Sequence, residues 1–186
     1  MLKIISSQIG SLLNKSELNA TLGISINTLK KYLNILEGTF IINILNPFYK
    51  NVRKELSKMP KIYFNDMGIR NYLLYGNLEE LPTANIGELV ENFVYNELKL
   101  KDNNGINFYR TISKAEIDFI FQKSFDKIIP MEVKYRNKVN VPEIMQNFSK
   151  NYSSKIDKKI IITKNKLEIK EDVYLIPACL VSFINL

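Results

Sequence analysis

The sequence predicts an α+β or α/β protein with two domains, residues 1–83 and 84–186. The first half has apolar residues at helical spacing, followed by two β-branched runs. The second half has the order α-β-β-β-α-β-β, which predicts a mixed sheet flanked by helices. Between them, Leu81–Asn85 (LPTAN) has the composition of a linker. A chain of 186 residues is long enough to bury a substantial core.

The first half shows the pattern of a helix-turn-helix. Helical spacing of apolar residues predicts a helix over Ile4–Leu13, and Ser16 can cap a short second helix over Glu17–Leu22. A glycine then supplies a turn, and Ser25 can cap a longer third helix over Ile26–Leu36. The third helix has one apolar stripe that predicts its buried side: Ile26, Leu29, Leu33 and Leu36.

The third helix also has a polar and basic face. Its members can reach bases and phosphates in a major groove: Asn27, Thr28, Lys30, Lys31 and Asn34. Strand-like runs follow at Thr39–Tyr49 and Lys61–Phe64, separated by the basic segment Lys50–Lys58, and a further helix is predicted over Met67–Leu74. This order predicts a winged helix-turn-helix. Such domains also mediate protein contacts, so DNA binding and a packing or dimerisation role both stay open.

The second half begins with a long amphipathic helix over Ile86–Lys101. A second helix is predicted over Pro142–Ser149, starting near the position that proline favours. The strands of the sheet are predicted over five runs: Asn107–Thr111, Ala115–Gln122, Lys127–Tyr135, Lys158–Thr163 and Asp172–Leu175.

Composition excludes several classes of chemistry. The chain has no histidine, which excludes Ser-His-Asp and Cys-His catalysis and His-ligated zinc. A single cysteine, Cys179, excludes an internal disulfide and a thiolate zinc cluster. The net charge of +7 suits a polyanion such as nucleic acid, although the many Lys and Asn residues also fit an AT-rich genome.

The sequence predicts no targeting segment. The N-terminal residues lack a sustained apolar core and a small-residue cleavage site. The longest apolar stretch, Leu175–Leu186, is too short to cross a bilayer. A cytoplasmic location and no membrane partner are therefore expected.

Two short segments place charged residues inside β-prone runs, AEIDF at 115–119 and PMEVK at 130–134. Alternate residues of a strand share a face, so Glu132 and Lys134 point to the same side. If Asp118 lies on a neighbouring strand, two carboxylates and one ammonium converge. Such a group can hold Mg²⁺ or Mn²⁺ and activate water for phosphodiester cleavage.

Each residue then has a candidate role. Asp118 and Glu132 are the candidate metal ligands, with the carbonyl of Val133 as a third, and Lys134 would stabilise developing charge or position the attacking water. Glu91, and with less support Glu88, lies on the preceding helix and could reach the metal through water or bind a second ion.

A structural explanation of the same residues also exists. Glu132 and Lys134 could form an exposed cross-strand pair, and the glutamates could be the wet side of a helix. The apolar neighbours Ile128, Ile129, Met131 and Val133 instead predict a largely buried strand. Charges on such a strand cost several kcal/mol unless they pair or bind a metal. A metal site and a buried ion pair both satisfy that requirement.

The order of a helix glutamate, IDF on one strand and EVK on the next resembles the PD-(D/E)xK nuclease superfamily. The longer strings KMPKIYFNDMG, GELVENFVYNEL and YRTISKAEIDF resemble the C-terminal regions of a class of prokaryotic AAA+ ATPases, often catalogued as a domain of unknown function. This resemblance implies a winged helix followed by a restriction-endonuclease-like mixed sheet.

The resemblance also implies an ATPase domain before this region. Nothing in the chain matches the phosphate-binding pattern G-x-x-x-x-G-K-[ST], so ATP binding is not carried over. The chain is therefore expected to be a fragment of a longer ATPase or a stand-alone remnant. Two functions follow: a Mg²⁺-dependent nuclease module that docks on DNA, or an inactive scaffold that binds DNA or a partner. A basic helical interaction domain unrelated to nucleic acid is a third interpretation, with less support.

Overall fold

The computed structural model describes residues 1–48, 59–77, 85–101 and 105–186. They form two compact units, the first from Met1–Pro47 and the later described residues up to Asn92, the second from Phe48 and Phe93–Leu186. The predicted linker Leu81–Asn85 lies outside the described residues except for Asn85, and the basic segment Lys50–Lys58 lies wholly outside them.

The first unit consists of helices and a two-stranded antiparallel sheet. Its elements in chain order are α1 (Leu2–Ser6), α2 (Lys15–Leu22), α3 (Ile26–Gly38), β1 (Ile42–Leu45), β2 (Lys61–Phe64) and α4 (Met67–Tyr75). The chain between α1 and α2 runs along the free side of β2. There Gly10 N–H donates to the carbonyl of Ile62 at 3.0 Å, and Leu13 N–H donates to that of Pro60 at 2.7 Å.

The predicted helix over Ile4–Leu13 is therefore wrong beyond Ser6. Gly10 has φ +68°, a left-handed conformation that turns the backbone out of the helix and onto β2. The predicted cap of α2 is also wrong, because Asn14 rather than Ser16 caps the helix. The side-chain oxygen of Asn14 accepts from the N–H of Glu17 at 3.2 Å.

The predicted cap and stripe of α3 are largely confirmed. Ser25 Oγ accepts from the N–H of Thr28 at 3.1 Å, which satisfies one free donor at the helix start. Leu29 and Leu33 are fully buried in a core that contains Ile5, Leu18 and Phe64. Ile26 departs from the stripe and is 44% exposed, because it is the first residue of the helix and lies past the edge of the core.

The second unit is a six-stranded sheet with the strand order β3-β4-β5-β6-β8-β7. Strands β3, β4 and β5 are antiparallel, β5, β6 and β8 are parallel, and β7 is antiparallel to β8. Its elements are α5 (Ile86–Lys101, which begins in the first unit), β3 (Ile106–Arg110), β4 (Glu116–Gln122), β5 (Ile128–Lys134), α6 (Glu143–Asn151), β6 (Lys159–Thr163), β7 (Glu168–Lys170), β8 (Val173–Pro177) and a 3₁₀ helix (Ala178–Phe183).

Both faces of this sheet are covered. On one face, Met145 and Phe148 of α6 pack against a core that includes Ile120 and Ile161. On the other, the ring of Tyr95 on α5 lies 6.1 Å from that of Phe119. The mixed sheet flanked by helices is thus confirmed. Among the described residues, no helix combines the length and apolar character needed to cross a bilayer.

Replacing Leu29 by alanine should lower the free energy of unfolding of the first unit by about 2–5 kcal/mol, because it removes a fully buried side chain. Ile26→Ala, on the exposed end of the same helix, is the matched control and should cost less than about 1 kcal/mol. Urea unfolding followed by circular dichroism measures both. Equal losses would contradict the packing described for α3.

Candidate functional site

Strand β4 contains a β-bulge next to Asp118, one of the two candidate metal ligands. Asn107 of β3 pairs with Ile120, and Tyr109 pairs with Ile117, so two steps along β3 match three steps along β4. The extra residue of β4 therefore falls within Asp118–Phe119. Bulges of this kind bend a strand and re-aim a side chain, and they are frequent beside active sites.

The pairing between β4 and β5 runs from Gln122 opposite Ile128 to Phe119 opposite Met131. One residue beyond this last pair, the carboxylates of Asp118 and Glu132 accept hydrogen bonds from main-chain N–H groups. Oδ2 of Asp118 accepts from the N–H of Val133 at 2.8 Å, and Oε2 of Glu132 accepts from the N–H of Asp118 at 3.4 Å. The predicted convergence of Asp118 and Glu132 on neighbouring strands is present in the structure.

Lys134 joins the same group. Its Nζ donates to Oε1 of Glu132 and forms an ion pair with it. The Glu132 side chain is 5% exposed, whereas that of Lys134 is 30% exposed. A buried carboxylate is thus compensated by an ammonium that still reaches solvent, as a charge on a largely buried strand requires.

Carboxylate oxygens are the ligands that Mg²⁺ and Mn²⁺ prefer, and Mg²⁺ is commonly held by one or two carboxylates together with waters and substrate phosphates. Asp118 and Glu132 fit that donor set. Within the described ranges, no group of three or more His, Cys, Asp or Glu side chains is arranged to hold a metal. An ion at this site would therefore rest on the two carboxylates.

Glu91 lies in a different setting, inside the first unit. Its Oε1 accepts from Lys61 Nζ at 3.0 Å and from the hydroxyl of Tyr63 at 2.6 Å. Lys61 and Tyr63 are alternate residues of β2, so both reach the same face. A Cβ added at Gly10 would lie 3.1 Å from Glu91 Oε1, so the carboxylate fits against a position without a side chain. The role of Glu91 toward a metal stays a prediction.

Glu88, the other helix glutamate considered, is half-buried. Burial raises the pKa of its carboxyl above the ordinary value, the positive charge of Arg70 opposes that change, and Glu91 adds to it. The role considered for Glu88 toward a metal stays a prediction.

The side chains predicted to read DNA are mostly on the outer side of α3. Asn27, Lys30, Lys31 and Asn34 are exposed. Thr28 is half-buried, and its hydroxyl lies 2.9 Å from the hydroxyl of Ser25, so it belongs to the helix cap. Four of the five side chains predicted to contact DNA are thus accessible to a ligand.

Sequence reasoning missed Asn92, a buried polar residue in the first half of α5. The side-chain amide of Asn92 accepts from the N–H of Phe64 at 2.9 Å and donates to the carbonyl of the same residue at 2.7 Å. The sequence did contain one signal for the Lys61–Glu91 pair. Lys61 stands in the run KIYF among apolar neighbours, which predicts a carboxylate partner for a buried lysine.

Comparisons with known proteins identify families without an assigned activity. The model of DUF4143, described as a domain of unknown function, matches residues 86–181, and that of DUF8612, with the same description, matches residues 1–80. DUF4143 is found in proteins associated with AAA ATPases. No solved structure matches the chain with significance.

The similar curated proteins are longer and uncharacterized. One from Haemophilus influenzae is 28% identical over 174 residues, which covers 90% of this chain and 40% of that protein. Another from Mycobacterium tuberculosis is 31% identical over 120 residues, which covers 62% of this chain and 27% of that protein. The chain thus spans between about a quarter and two fifths of the relatives it matches.

Glu91→Gln should lower the free energy of unfolding of the first unit by about 3 kcal/mol, because it leaves the buried Lys61 ammonium without its counter-charge. Adding Lys61→Met should make the combined loss at least about 1 kcal/mol smaller than the sum of the single losses. A double-mutant cycle by urea unfolding measures this coupling. Strictly additive losses would contradict a structural role for the pair.

Proposed function

The chain belongs to the DUF4143 family, and from that premise and the site geometry we propose that it is the nucleic-acid-directed part of a longer, ATPase-type protein. In this proposal the second unit is a restriction-endonuclease-like module that hydrolyses phosphodiesters with Mg²⁺ or Mn²⁺. The first unit is a winged helix-turn-helix that binds DNA. The observation that carries the proposal is the meeting of Asp118, Glu132 and Lys134 at the end of the β4–β5 pairing.

The donor set suits the ion that the resemblance implies. Asp118 and Glu132 would hold the ion. The main-chain carbonyl of Val133, which lies between Glu132 and Lys134 in the sequence, would be a third ligand. When bound, such an ion lowers the pKa of a coordinated water and neutralises charge on the phosphate.

The protein residues have roles of their own. The N–H of Val133 and the N–H of Asp118 hold the two carboxylates in place, which keeps their oxygens at one position. Lys134 is partly exposed and is held at the site by Glu132, so its ammonium can stabilise negative charge that develops on a phosphoryl oxygen. Glu132 in turn orients that ammonium by accepting its hydrogen bond.

The architecture of the first unit supports DNA binding. A strand-like segment at residues 10–13, then α2, α3 and the antiparallel pair β1–β2 follow the order expected of a winged helix. The outer side of α3 presents exposed amides and ammonium groups, which are the groups that contact bases and phosphates. The ATPase region itself would lie in the longer protein.

One observation favours a second candidate function, an inactive scaffold that binds DNA or a partner protein. Asp118 and Glu132 already accept hydrogen bonds from main-chain N–H groups, and Glu132 also pairs with Lys134. These contacts satisfy the carboxylates without an ion. A scaffold of this kind would function unaltered after Asp118→Ala or Glu132→Ala.

Asp118→Asn should reduce Mg²⁺-dependent cleavage of DNA at least about 100-fold, since asparagine keeps an acceptor for the Val133 N–H but removes the charge that holds a cation. Asp126→Asn, at an exposed carboxylate hydrogen-bonded to Ser124, is the matched control and should leave cleavage unchanged. Gel assays on single-stranded, duplex and branched substrates with Mg²⁺ or Mn²⁺ measure the rates. Failure of the native chain to cleave any of them would remove the nuclease proposal.

Lys30→Ala combined with Lys31→Ala should weaken duplex binding and flatten its salt dependence. The log–log slope should fall by about 0.9 for each phosphate that these lysines neutralise in the native chain. Lys3→Ala, at an exposed lysine of α1, is the control and should change neither quantity. Fluorescence anisotropy at several salt concentrations gives the slope. An unchanged slope in the double variant would exclude α3 as the phosphate-binding helix.

A further inference from the structure

A groove of about 380 Å³ lies in the second unit between the β3–β4 hairpin and α6. Along one wall, Tyr109, Thr111 and Ser113 alternate along the chain. Along the other, Glu143, Asn147 and Asn151 recur every fourth residue of α6. Thr111 and Ser113 lie beyond β3, at the hairpin turn, with their hydroxyls 2.9 Å apart, whereas every fourth residue of a helix lies on one side. The α6 wall therefore presents a row of polar side chains to the groove.

The lining combines aromatic surface with amide groups. The rings of Tyr109 and Phe148, which both line the groove, lie 4.7 Å apart in an edge-to-face arrangement. The side chains of Asn147 and Asn151 are exposed and make no hydrogen bond to any other residue that the structure describes. Aromatic faces and free amide groups are the features by which proteins recognise unstacked nucleobases.

The charge of the lining distinguishes a base from a phosphate. Among the described residues that line the groove, Glu143 is acidic and none is basic. A phosphate would be repelled by that carboxylate, whereas an exocyclic amino group of a base can donate to it. The volume also fits a small ligand rather than a helix or a strand of a partner.

The strand register places Glu132 on the side of the sheet that α6 covers, and α6 forms one wall of the groove. Tyr109 pairs with Ile117, the residue before Asp118, and Ala115 of the groove precedes Asp118 by about 10 Å of extended chain. Glu132 pairs with Ile161, which lies in the core that α6 covers. A base in the groove would thus belong to a nucleotide close to a phosphate at Asp118 and Glu132.

We propose that this groove binds an unpaired nucleobase beside the phosphate to be cleaved, an inference that rests on the proposed function and narrows its substrate. Because a base inside a duplex cannot present its edge and face to such a groove, the substrate is a single strand or an unpaired nucleotide at a junction. The groove then positions the strand relative to Asp118, Glu132 and Lys134.

The test measures binding in the Asp118→Asn background, where cleavage does not interfere. Asn147→Ala combined with Asn151→Ala should lower affinity for a fluorescently labelled single-stranded oligonucleotide about tenfold or more, since each amide–base contact is worth a factor of about five or more. Affinity for a blunt duplex should change less than about twofold. Gln146→Ala, an exposed amide of α6 outside the groove, is the matched control and should change neither.

The outcomes separate this inference from the proposed function. If the native chain cleaves nucleic acid and the double asparagine variant keeps its single-strand affinity, the groove assignment is overturned while the nuclease remains. If the native chain cleaves nothing and the double variant still loses single-strand binding, the nuclease fails while the groove stands as a nucleobase site. Thermal melting of each variant tests whether it remains folded.

Discussion

The candidate site of the second unit depends on where the pairing of β4 with β5 ends. The pairing of β4 and β5 closes at Phe119 and Met131, and beyond that point the carboxylates of Asp118 and Glu132 accept hydrogen bonds from main-chain N–H groups. A partly buried main-chain N–H group needs a hydrogen-bond acceptor. Where β4 and β5 no longer pair, the carboxylates of Asp118 and Glu132 are that acceptor, and these hydrogen bonds hold them in position. The bulge in the β3–β4 pairing falls at the same point of β4, within Asp118–Phe119. The positions of the two carboxylates thus follow from the hydrogen bonding of the sheet.

Each unit contains an ion pair with a buried partner, and the two pairs differ in a way that separates structure from chemistry. In the first unit the side chain of Lys61 is 2% exposed and that of Glu91 is 16% exposed, and Tyr63 shares the carboxylate. In the second, Glu132 is buried but Lys134 is 30% exposed. Breaking either pair leaves a poorly solvated charge. Only the second pair presents a cation that solvent, and hence a phosphate, can reach beside two carboxylates.

The sequence was enough to predict five of the six strands of the mixed sheet, while the three-residue strand β7, Glu168–Lys170, was missed. β-periodicity also predicted that Glu132 and Lys134 share a face, but their convergence with Asp118 depended on Asp118 lying on a neighbouring strand. The sequence could not reveal that Glu91 is bound by Lys61, since that contact joins residues thirty positions apart in the chain. The helix predicted past Ser6 failed because helical spacing carries no information about the left-handed turn at Gly10. The groove between the hairpin and α6 was equally hidden, since only tertiary packing brings those walls together.

The most direct test of a cation site between Asp118 and Glu132 is anomalous diffraction from crystals of the chain soaked in Mn²⁺. The geometry predicts one strong peak bounded by oxygens of these two side chains, and loss of that peak in the Glu132→Gln variant. Native crystals that show no peak there, with both carboxylates still bound to the main-chain N–H groups, would contradict the account and leave the second unit as a scaffold.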